Sequence, residues 1–261
     1  IAKGERLYAE VHTAEAEREY LAAQKTAATL NSALCNTLNA ETTYQPISSM
    51  FILSQIEDVD HFKQLALNNN PQLRQVGLKK DLAVEGVRLQ RADFAPQVAL
   101  MGGASFYNYQ VTPLMPRWAV GAGVSFKIFD GLNREYKFSA AKSQVRQVEA
   151  LNVKAQHDIL TLIDKLYNEM TTYNEQLPSI DAAYNFAAEY LRIKEEAFKE
   201  GAAPSSDVVD AQLNLAKIKT ERLQAAYYYD LMLARLLEAC GESEMLTEYA
   251  RRPAAMPIRY E

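Results

Sequence analysis

The sequence has few of the residues that mark metal proteins and disulfide scaffolds. Its 261 residues include only two cysteines and three histidines. Two cysteines, Cys35 and Cys240, are too few for a disulfide framework and lack metal-ligand spacing. We expect two separate small apolar core residues, with a mutual disulfide as the alternative. His12, His61 and His157 stand apart from any Cys, Asp or Glu cluster, which predicts no metal site.

Catalytic signatures are missing as well. The sequence contains no G-x-S-x-G, no phosphate-cradling glycine loop and no dinucleotide fingerprint. The sequence therefore predicts no catalytic residue, no cofactor and a protein that is not an enzyme.

Basic charge and long apolar runs are also scarce. The chain carries 28 basic and 33 acidic residues, a formal net charge of -5, which argues against nucleic-acid binding. Mean hydropathy is -0.26, and no run of about 18 apolar residues predicts a transmembrane helix. Transmembrane β-strands stay possible, because they alternate and leave a weaker signal. No signal-peptide pattern follows Ile1, so we expect a processed or truncated chain.

Helical periodicity dominates the first part of the sequence. Apolar residues recur at three- and four-residue steps over 5–38, which predicts one helix. A connector with one short strand is expected over 39–57, and a short helix over 60–67. Asn70 can then cap a helix over 71–94 that has Pro71 at its first position.

Two strands are predicted next, over 97–107 and 117–129, joined by a loop with two prolines. The second strand alternates: large apolar residues share one face with Ala122, and small or polar residues form the other. The large apolar residues are Trp118, Val120, Val124, Phe126 and Ile128. A tilted strand of about 9 to 11 residues can cross a bilayer. A hairpin lying on a soluble core has the same pattern, so both interpretations stay open.

Some 70 residues of helix pattern follow, from Gly131 to Glu200, and at 1.5 Å per residue they span roughly 105 Å. The apolar steps are those of coiled-coil heptads with one stutter. Pro178 predicts a kink or a join between two helices. A turn over 201–205 leads to a return helix from about Ser206 to Ala239, which Gly241 ends. The tail from Glu242, with two prolines, is expected to be irregular.

A weak internal repeat links the two ends of the chain. Shifting the sequence by 202 positions aligns 2–23 with 204–225 without a gap. The repeat predicts that a helix and a strand pair should precede residue 1.

Three stretches, in this order, carry a resemblance to the TolC-like outer-membrane efflux protein family. They are "NPQLRQVGLKKDLAVEGVRLQRADFAPQVALMGG" (70–103), "WAVGAGVSFKIFDGLNR" (118–134) and "FKEGAAPSSDVVDAQLNLAKIKTERLQAAYYYDLMLARLLEACG" (198–241). The resemblance implies a mainly α fold with a small β part: long antiparallel coiled-coil helices of an α-barrel and a transmembrane-type β-hairpin. It also implies a homotrimer whose 12-stranded barrel crosses the outer membrane and whose long helices extend into the periplasm.

The resemblance also divides the chain into segments. The implied segments are a final ascending helix of a first repeat (1–38), a connector or equatorial segment (39–59), helices of a second repeat (60–95), the barrel hairpin (96–129), a periplasmic helical hairpin (130–240) and an equatorial tail (241–261). Three copies would supply six strands, whereas bacterial single-chain barrels begin at about eight. The chain is therefore expected to be the C-terminal part of a longer protein.

Site residues follow from the same resemblance. Asp207 and Asp210 lie three apart on one helix face and would form a ring of six carboxylates that selects cations at the periplasmic mouth. The simpler alternative is that Asp207 stabilises the helix dipole and Asp210 is solvated. Where relatives can have an arginine in the turn, this chain has Ala203 and Pro204, so closing contacts must use other residues.

A docking tip for a periplasmic adaptor is implied at the same end. It comprises Gly201, Ala202, Ala203, Pro204 and Ser205, with Lys3, Gly4 and Glu5 as the counterpart in the other repeat. A purely structural interpretation makes Gly201 a C-terminal cap and Ser205 or Ser206 an N-cap. The large apolar strand residues from Trp118 to Ile128 would face lipid.

The function implied is a passive outer-membrane exit duct of a tripartite efflux or type I secretion system. Its expected partners are a periplasmic adaptor, an inner-membrane pump and outer-membrane lipid. The alternative is a soluble periplasmic coiled-coil structural or adaptor protein with no channel.

Overall fold

A computed structural model describes residues 3–40, 42, 44, 46–104 and 118–258. Most of these residues are helical. The elements, in chain order, are α1 (Lys3–Thr37), β1 (Met50–Leu53), α2 (Val59–Asn69), α3 (Pro71–Ala92), β2 (Gln97–Ala104), β3 (Trp118–Ser125), α4 (Asn133–Lys199), α5 (Ser205–Cys240), a 3-10 turn (Ser243–Met245), α6 (Leu246–Arg251) and β4 (Ala255–Ile258). The predicted helices and the short strand of the connector are all present, with ends that differ by a few residues. Among the described residues, no helix combines the length and the apolar character needed to cross a membrane.

The chain divides into two compact units, residues 1–62 with 163–261, and residues 63–162. The core of the first unit lies along the C-terminal half of α5. Leu233, Leu236 and Leu237 are at most 1% exposed and repeat at three- and four-residue steps, as a buried helix face requires. Ile52 and Leu53 of β1 are fully buried in the same unit. Burial of such side chains is worth about 1.5–3 kcal/mol each.

The tail after Glu242 is ordered, so the expectation of an irregular segment is wrong. It forms α6 and then β4, which pairs antiparallel with β1. Pro257 lies opposite Phe51, and the Phe51 N–H donates to Asp230 Oδ2 at 3.2 Å, away from β4. The pair is therefore a non-hydrogen-bonded one, at which the nitrogens of both residues point outward. A proline is tolerated there because its missing N–H would have bonded nothing in the ladder.

Pro178 lies inside α4 without dividing it, since α4 is assigned as one helix of 67 residues. The predicted join between two helices is therefore absent. Leu177, next to the proline, is 6% exposed, and Ala187 further along is 1% exposed. Burial on both sides of Pro178 stabilises the helix against the loss of one backbone hydrogen bond.

In the second unit, the predicted start of α3 is confirmed. The Asn70 side chain accepts a hydrogen bond from the Leu73 N–H at 2.9 Å, and Pro71 occupies the first turn. Asn70 is 4% exposed. The cap satisfies one of the backbone donors that a helix start leaves without an intrahelical partner.

Replacing Asn70 by Ala is expected to destabilise the protein by about 1 to 2 kcal/mol, because a buried N–H at the start of α3 loses its acceptor. Urea unfolding measures the loss. Asn70→Ser is the matched control, since serine keeps a capping oxygen and should retain most of the stability. Equal losses in both variants would contradict the capping role.

β2 and β3 form an antiparallel hairpin whose register runs from Gln97 opposite Ser125 to Ala104 opposite Trp118. Residues directly opposite share a face. One face therefore carries the larger apolar residues of both strands, Val98, Leu100, Trp118, Val120 and Val124, which are 70–82% exposed. Except for Gln97 and Met101, the other face carries Gly, Ala and Ser. The predicted strand residues 105–107 and 117 lie outside the described part of the chain.

β3 ends at Ser125, four residues before the predicted end, so Phe126 and Ile128 follow the strand rather than belong to it. The partner strand explains the difference. β2 begins at Gln97 because Pro96 precedes it and has no N–H to offer. Beyond the strand, the Ile128 carbonyl accepts from Arg134 Nη2 at 3.4 Å, and Gly131 has a positive φ of 71° as the chain turns into α4.

Both cysteines are free thiols. Cys240 is fully buried, as predicted for an apolar core residue, and burial raises the pKa of its thiol to about 12. Cys35 is only half-buried and lies 3.4 Å from the Thr42 carbonyl oxygen. The prediction of two separate residues holds, whereas the prediction of a core position holds only for Cys240.

Candidate functional site at the helical turn

The turn between α4 and α5 is closed by a glycine in the left-handed region. Gly201 has φ 74°; its N–H donates to the Phe198 carbonyl at 3.0 Å, and the Ala202 N–H donates to the Ala197 carbonyl at 2.8 Å. This pair of bonds is a Schellman motif, which satisfies the last carbonyls of α4. The predicted capping role of Gly201 is therefore observed.

The start of α5 differs from the structural interpretation of the sequence. Pro204, not Ser205 or Ser206, is the N-cap, and it makes no side-chain capping bond. Proline suits the position because its φ of -71° is fixed and it has no N–H to satisfy. The Ser205 hydroxyl is thereby free to donate to Glu5 Oε2 of α1 at 3.2 Å.

Asp207, in the first turn of α5, forms an ion pair with a residue of α4. Lys194 Nζ lies 2.6 Å from Asp207 Oδ2, and the two side chains are 25% and 35% exposed. Lys194 donates this hydrogen bond to Asp207, which raises the pKa of Lys194 above its ordinary value. Asp207 therefore also ties α5 to α4, in addition to its favourable place near the helix N-terminus.

Asp210 has a partner on α1. The Tyr8 hydroxyl donates to Asp210 Oδ1 at 2.5 Å, and this hydrogen bond is the main cause of a raised pKa of Tyr8. The two residues are 202 positions apart and Glu5 and Ser205 are 200 apart, so α1 and α5 run parallel and level at this end. The carboxylate of Asp210 is therefore not simply solvated.

Lys194 and Tyr8 were not predicted as partners of the two aspartates. The signal for Tyr8 was present, because the repeat offset of 202 aligns Tyr8 with Asp210. Helices that occupy equivalent positions in two repeats can lie side by side. Residues at equivalent positions along the two helices then come into contact. No comparable signal identifies Lys194, which reaches Asp207 across the turn.

The remaining residues of the predicted tip lie at the same end of this unit. Ala202 and Ala203 form the turn before Pro204, and Lys3, Gly4 and Glu5 form the first turn of α1. A side chain added at Gly4 would meet nothing within 4 Å. Across the described ranges, no three His, Cys, Asp or Glu side chains come together in a way that could hold a metal ion.

Replacing Tyr8 by Phe is expected to speed amide hydrogen exchange in the first turns of α1. No described residue of α1 is buried, so the polar contacts of Tyr8 and Glu5 with α5 restrain this end, and local opening follows the loss of such contacts. Exchange detected by mass spectrometry measures the change. Tyr20→Phe is the control, since Tyr20 is 66% exposed; equal acceleration in both variants would contradict the restraint.

Comparison with known proteins decides the family. The model of the family described as outer membrane efflux protein matches residues 63–242, more than half of the chain. The chain belongs to this family. The match confirms the resemblance seen in the sequence, and the family is one of outer membrane channels rather than enzymes.

Individual relatives agree with the family match. The outer membrane protein TolC of Vibrio cholerae serotype O1 is 24% identical over 173 residues, which are 65% of this chain and 39% of TolC. Among solved structures, VceC of Vibrio cholerae aligns with a TM-score of 0.74 at 18% identity, covering 92% of this chain and 59% of VceC. The open state of MtrE of Neisseria gonorrhoeae aligns with a TM-score of 0.76 at 17% identity, covering 93% and 57%.

These similarities show that the chain has the fold of the family's channels. They also show that the chain spans between two fifths and three fifths of the length of these relatives.

Proposed function

We propose that the chain is part of an outer-membrane exit duct, which passes small molecules or proteins passively in a tripartite efflux or type I secretion system. The observation that carries the proposal is the order of the elements. A two-faced hairpin is followed by a very long helix, and a tight turn then leads into a return helix. Seven residues separate β3 from α4, and α4 then runs for 67 residues, about 100 Å at 1.5 Å per residue. A length of this order suits a periplasmic wall.

The hairpin supports the placement in lipid. Its face of large apolar residues is 70–82% exposed, whereas exposed apolar patches on soluble proteins are small. The opposite face is mainly Gly, Ala and Ser, which suits a wet lumen. In the proposed trimer, Trp118, Val120 and Val124 face lipid, and strands from further chain segments complete the barrel.

The helical turn supports a periplasmic contact surface. Its backbone is fixed by the Schellman motif at Gly201 and by Pro204, and α1 presents its first turn beside it. We assign to this end the docking of a periplasmic adaptor, which links the duct to an inner-membrane pump. The alternative, a soluble coiled-coil adaptor without a channel, has no support in a match to outer membrane efflux proteins.

Recordings in planar bilayers test the proposed function. The intact protein, purified as a folded trimer, is expected to give discrete, long-lived conductance steps. Its solubility should depend on detergent, since the apolar hairpin face needs cover. A folded trimer that stays in solution without detergent and never forms pores would overturn the channel and favour the soluble coiled-coil protein.

A further inference from the structure

A small polar cavity lies where the hairpin joins its helices. Its volume is about 90 Å³, well above the roughly 10–15 Å³ that one water molecule requires. Three cationic side chains line it, Lys127, Arg134 and Lys137, together with the carboxylates of Asp93 and Asp130. Both signs of charge are therefore present, with the cations in excess by one.

One of the cations is already engaged. Arg134 Nε lies 3.3 Å from Asp130 Oδ2, and the guanidinium stacks over the Phe94 ring at 5.2 Å from its centroid. This pair is only 12% and 18% exposed. Arg134 and Asp130 therefore form a fixed wall of the cavity, and their charges largely offset each other.

The other charged groups are available to a ligand. Within the described part of the chain, the side chains of Lys127, Lys137 and Asp93 have no hydrogen-bond or ion-pair partner. Two unpaired ammonium groups can bind a phosphate diester. The unpaired carboxylate disfavours a ligand that is only anionic and suits a ligand that also carries an amine.

The surroundings of the cavity are apolar and exposed. Phe126, Ile128, Phe129 and Leu132 are 54%, 85%, 79% and 51% exposed, and they lie in the segment that carries Lys127 and leads into Arg134. Aromatic and aliphatic side chains next to cations are the composition of a membrane interface, where rings and basic groups meet lipid headgroups.

We propose that the cavity binds the headgroup of a zwitterionic phospholipid. Lys127 and Lys137 bind the phosphate, Asp93 binds the ammonium of a phosphoethanolamine, and the acyl chains lie against Phe126, Ile128 and Phe129. The site rests on the proposed function, because it needs the hairpin to lie in a bilayer. Binding of one specific lipid would fix the depth at which the hairpin lies in the bilayer, in addition to the contact of its apolar side chains with other lipids.

Binding of short-chain lipids to the detergent-solubilised protein tests the site. Dioctanoyl-phosphatidylethanolamine, dioctanoyl-phosphatidylglycerol and inorganic phosphate are titrated separately and detected by native mass spectrometry. The Lys127→Gln/Lys137→Gln variant is expected to bind phosphatidylethanolamine about 10- to 30-fold more weakly than wild type, because each basic group near a membrane surface contributes several-fold. Lys154→Gln is the control, since Lys154 pairs with Asp158 on the exposed surface of α4.

Asp93→Asn separates the two halves of the headgroup. This variant should bind phosphatidylethanolamine more weakly than wild type and phosphatidylglycerol at least as well. The site is overturned if the double lysine variant binds phosphatidylethanolamine as well as the Lys154 variant does. It is also overturned if Asp93→Asn changes the affinity for neither lipid, or if inorganic phosphate displaces the lipid at equal concentration. Circular dichroism confirms that each variant is folded.

Flotation with liposomes distinguishes failure of the site from failure of the function. Wild type that floats while the lysine variants keep full headgroup binding would refute only the site. Wild type that does not float at all would refute the membrane placement on which the proposed function depends.

Discussion

Replacing Asp207 and Asp210 together by Ala is expected to reduce the cation selectivity of the pore and to weaken its block by divalent cations by about tenfold or more. In the proposed trimer, three chains bring six carboxylates to the periplasmic mouth. Rings of acidic side chains favour cations, and affinity for hard divalent cations grows with the number of carboxylate ligands. Single-channel conductance with Mg²⁺ added on the periplasmic side measures both effects.

The observed partners of the two aspartates sharpen this prediction. Lys194 neutralises Asp207 at 2.6 Å and Tyr8 donates to Asp210 at 2.5 Å. Lys194→Gln therefore removes a positive charge and leaves the carboxylate, so it should strengthen divalent block. Tyr8→Phe should act in the same direction through Asp210. The double aspartate variant and the two partner variants are thus expected to shift block in opposite directions.

The opposite shifts in divalent block distinguish a ring of charges from a purely structural role of the two aspartates. If the aspartates only tie α5 to α4 and α1, removing either side of a pair loosens the turn, and all variants should change conductance in the same direction. Asp158→Ala is the matched control, because Asp158 pairs with Lys154 on the exposed surface of α4. A control variant that weakens block as much as the double variant would show that any lost carboxylate has this effect.

Local rules predicted the local features of this fold well. Asn70 followed by Pro71 starts α3, and Gly201 and Gly241 end α4 and α5 with positive φ. Each of these follows from one or two residues whose backbone preferences are strong. The α4 pattern likewise predicted a very long helix, because apolar residues recur at helical spacing, and those that are buried run from Ile159 to Ala187.

Features that depend on distant partners were not predictable in the same way. β4 contains Pro257, which argues against a strand unless its partner and register are known. β1, the partner, lies about 200 residues earlier in the chain, and only the direction of the Phe51 N–H shows that the proline is harmless. The end of β3 likewise depends on the start of β2 at Gln97 rather than on the residues of β3.

In the candidate site, too, local features were predictable and contacts with distant residues were not. The two aspartates were predicted from their spacing and from the resemblance, whereas the ion pair with Lys194 needs the geometry of the turn. The hydrogen bond between Tyr8 and Asp210 needs α1 and α5 to run level, which the repeat alone suggests. Apart from this repeat offset, sequence spacing does not encode side-chain partners across helices, because packing sets them.

We expect ionisation of Asp230 to make the free energy of unfolding depend on pH. Asp230 Oδ2 accepts from the Phe51 N–H at 3.2 Å and so attaches β1 to α5. Its Oδ1 is buried with no hydrogen-bond partner among the described residues, as is the neighbouring Tyr229 hydroxyl. Burial raises the pKa of Asp230 to about 7, although the hydrogen bond from Phe51 opposes the shift.

A raised pKa means that the folded state holds a proton which the unfolded chain releases near pH 4. The stabilisation is therefore complete below about pH 4 and is lost as pH rises through about 7. The rise of the pKa to about 7, at about 1.4 kcal/mol per pKa unit, sets an upper limit of about 4 kcal/mol, and because Asp230 is only partly buried, solvent screening reduces the expected loss to roughly 2 to 4 kcal/mol. Glu57 has the opposite effect on the pH dependence of stability. Burial alone would raise its pKa, but hydrogen bonds from its own backbone and from Arg252 hold the pKa below its usual value.

Asp230→Asn is expected to remove this pH dependence. The amide keeps an acceptor for the Phe51 N–H and carries no charge, so the variant should lie within about 1 kcal/mol of wild type near pH 4.5 and exceed its free energy of unfolding by roughly 2 to 4 kcal/mol at pH 8. Urea unfolding followed by circular dichroism at pH 4.5, 6 and 8 gives the comparison. The contribution of Glu57 cancels, because it is common to both proteins.

A variant with the same pH slope as wild type would contradict the assignment of this proton to Asp230. Asp158→Asn, on the exposed surface, serves as the control and should leave the slope unchanged. If the slope does change at Asp230, the attachment of β1 to α5 weakens as pH rises past neutrality, since the ionised carboxylate must be kept in a buried site with only one donor. Loss of β1 would also free β4, because β1 is the only strand of the described chain that pairs with it.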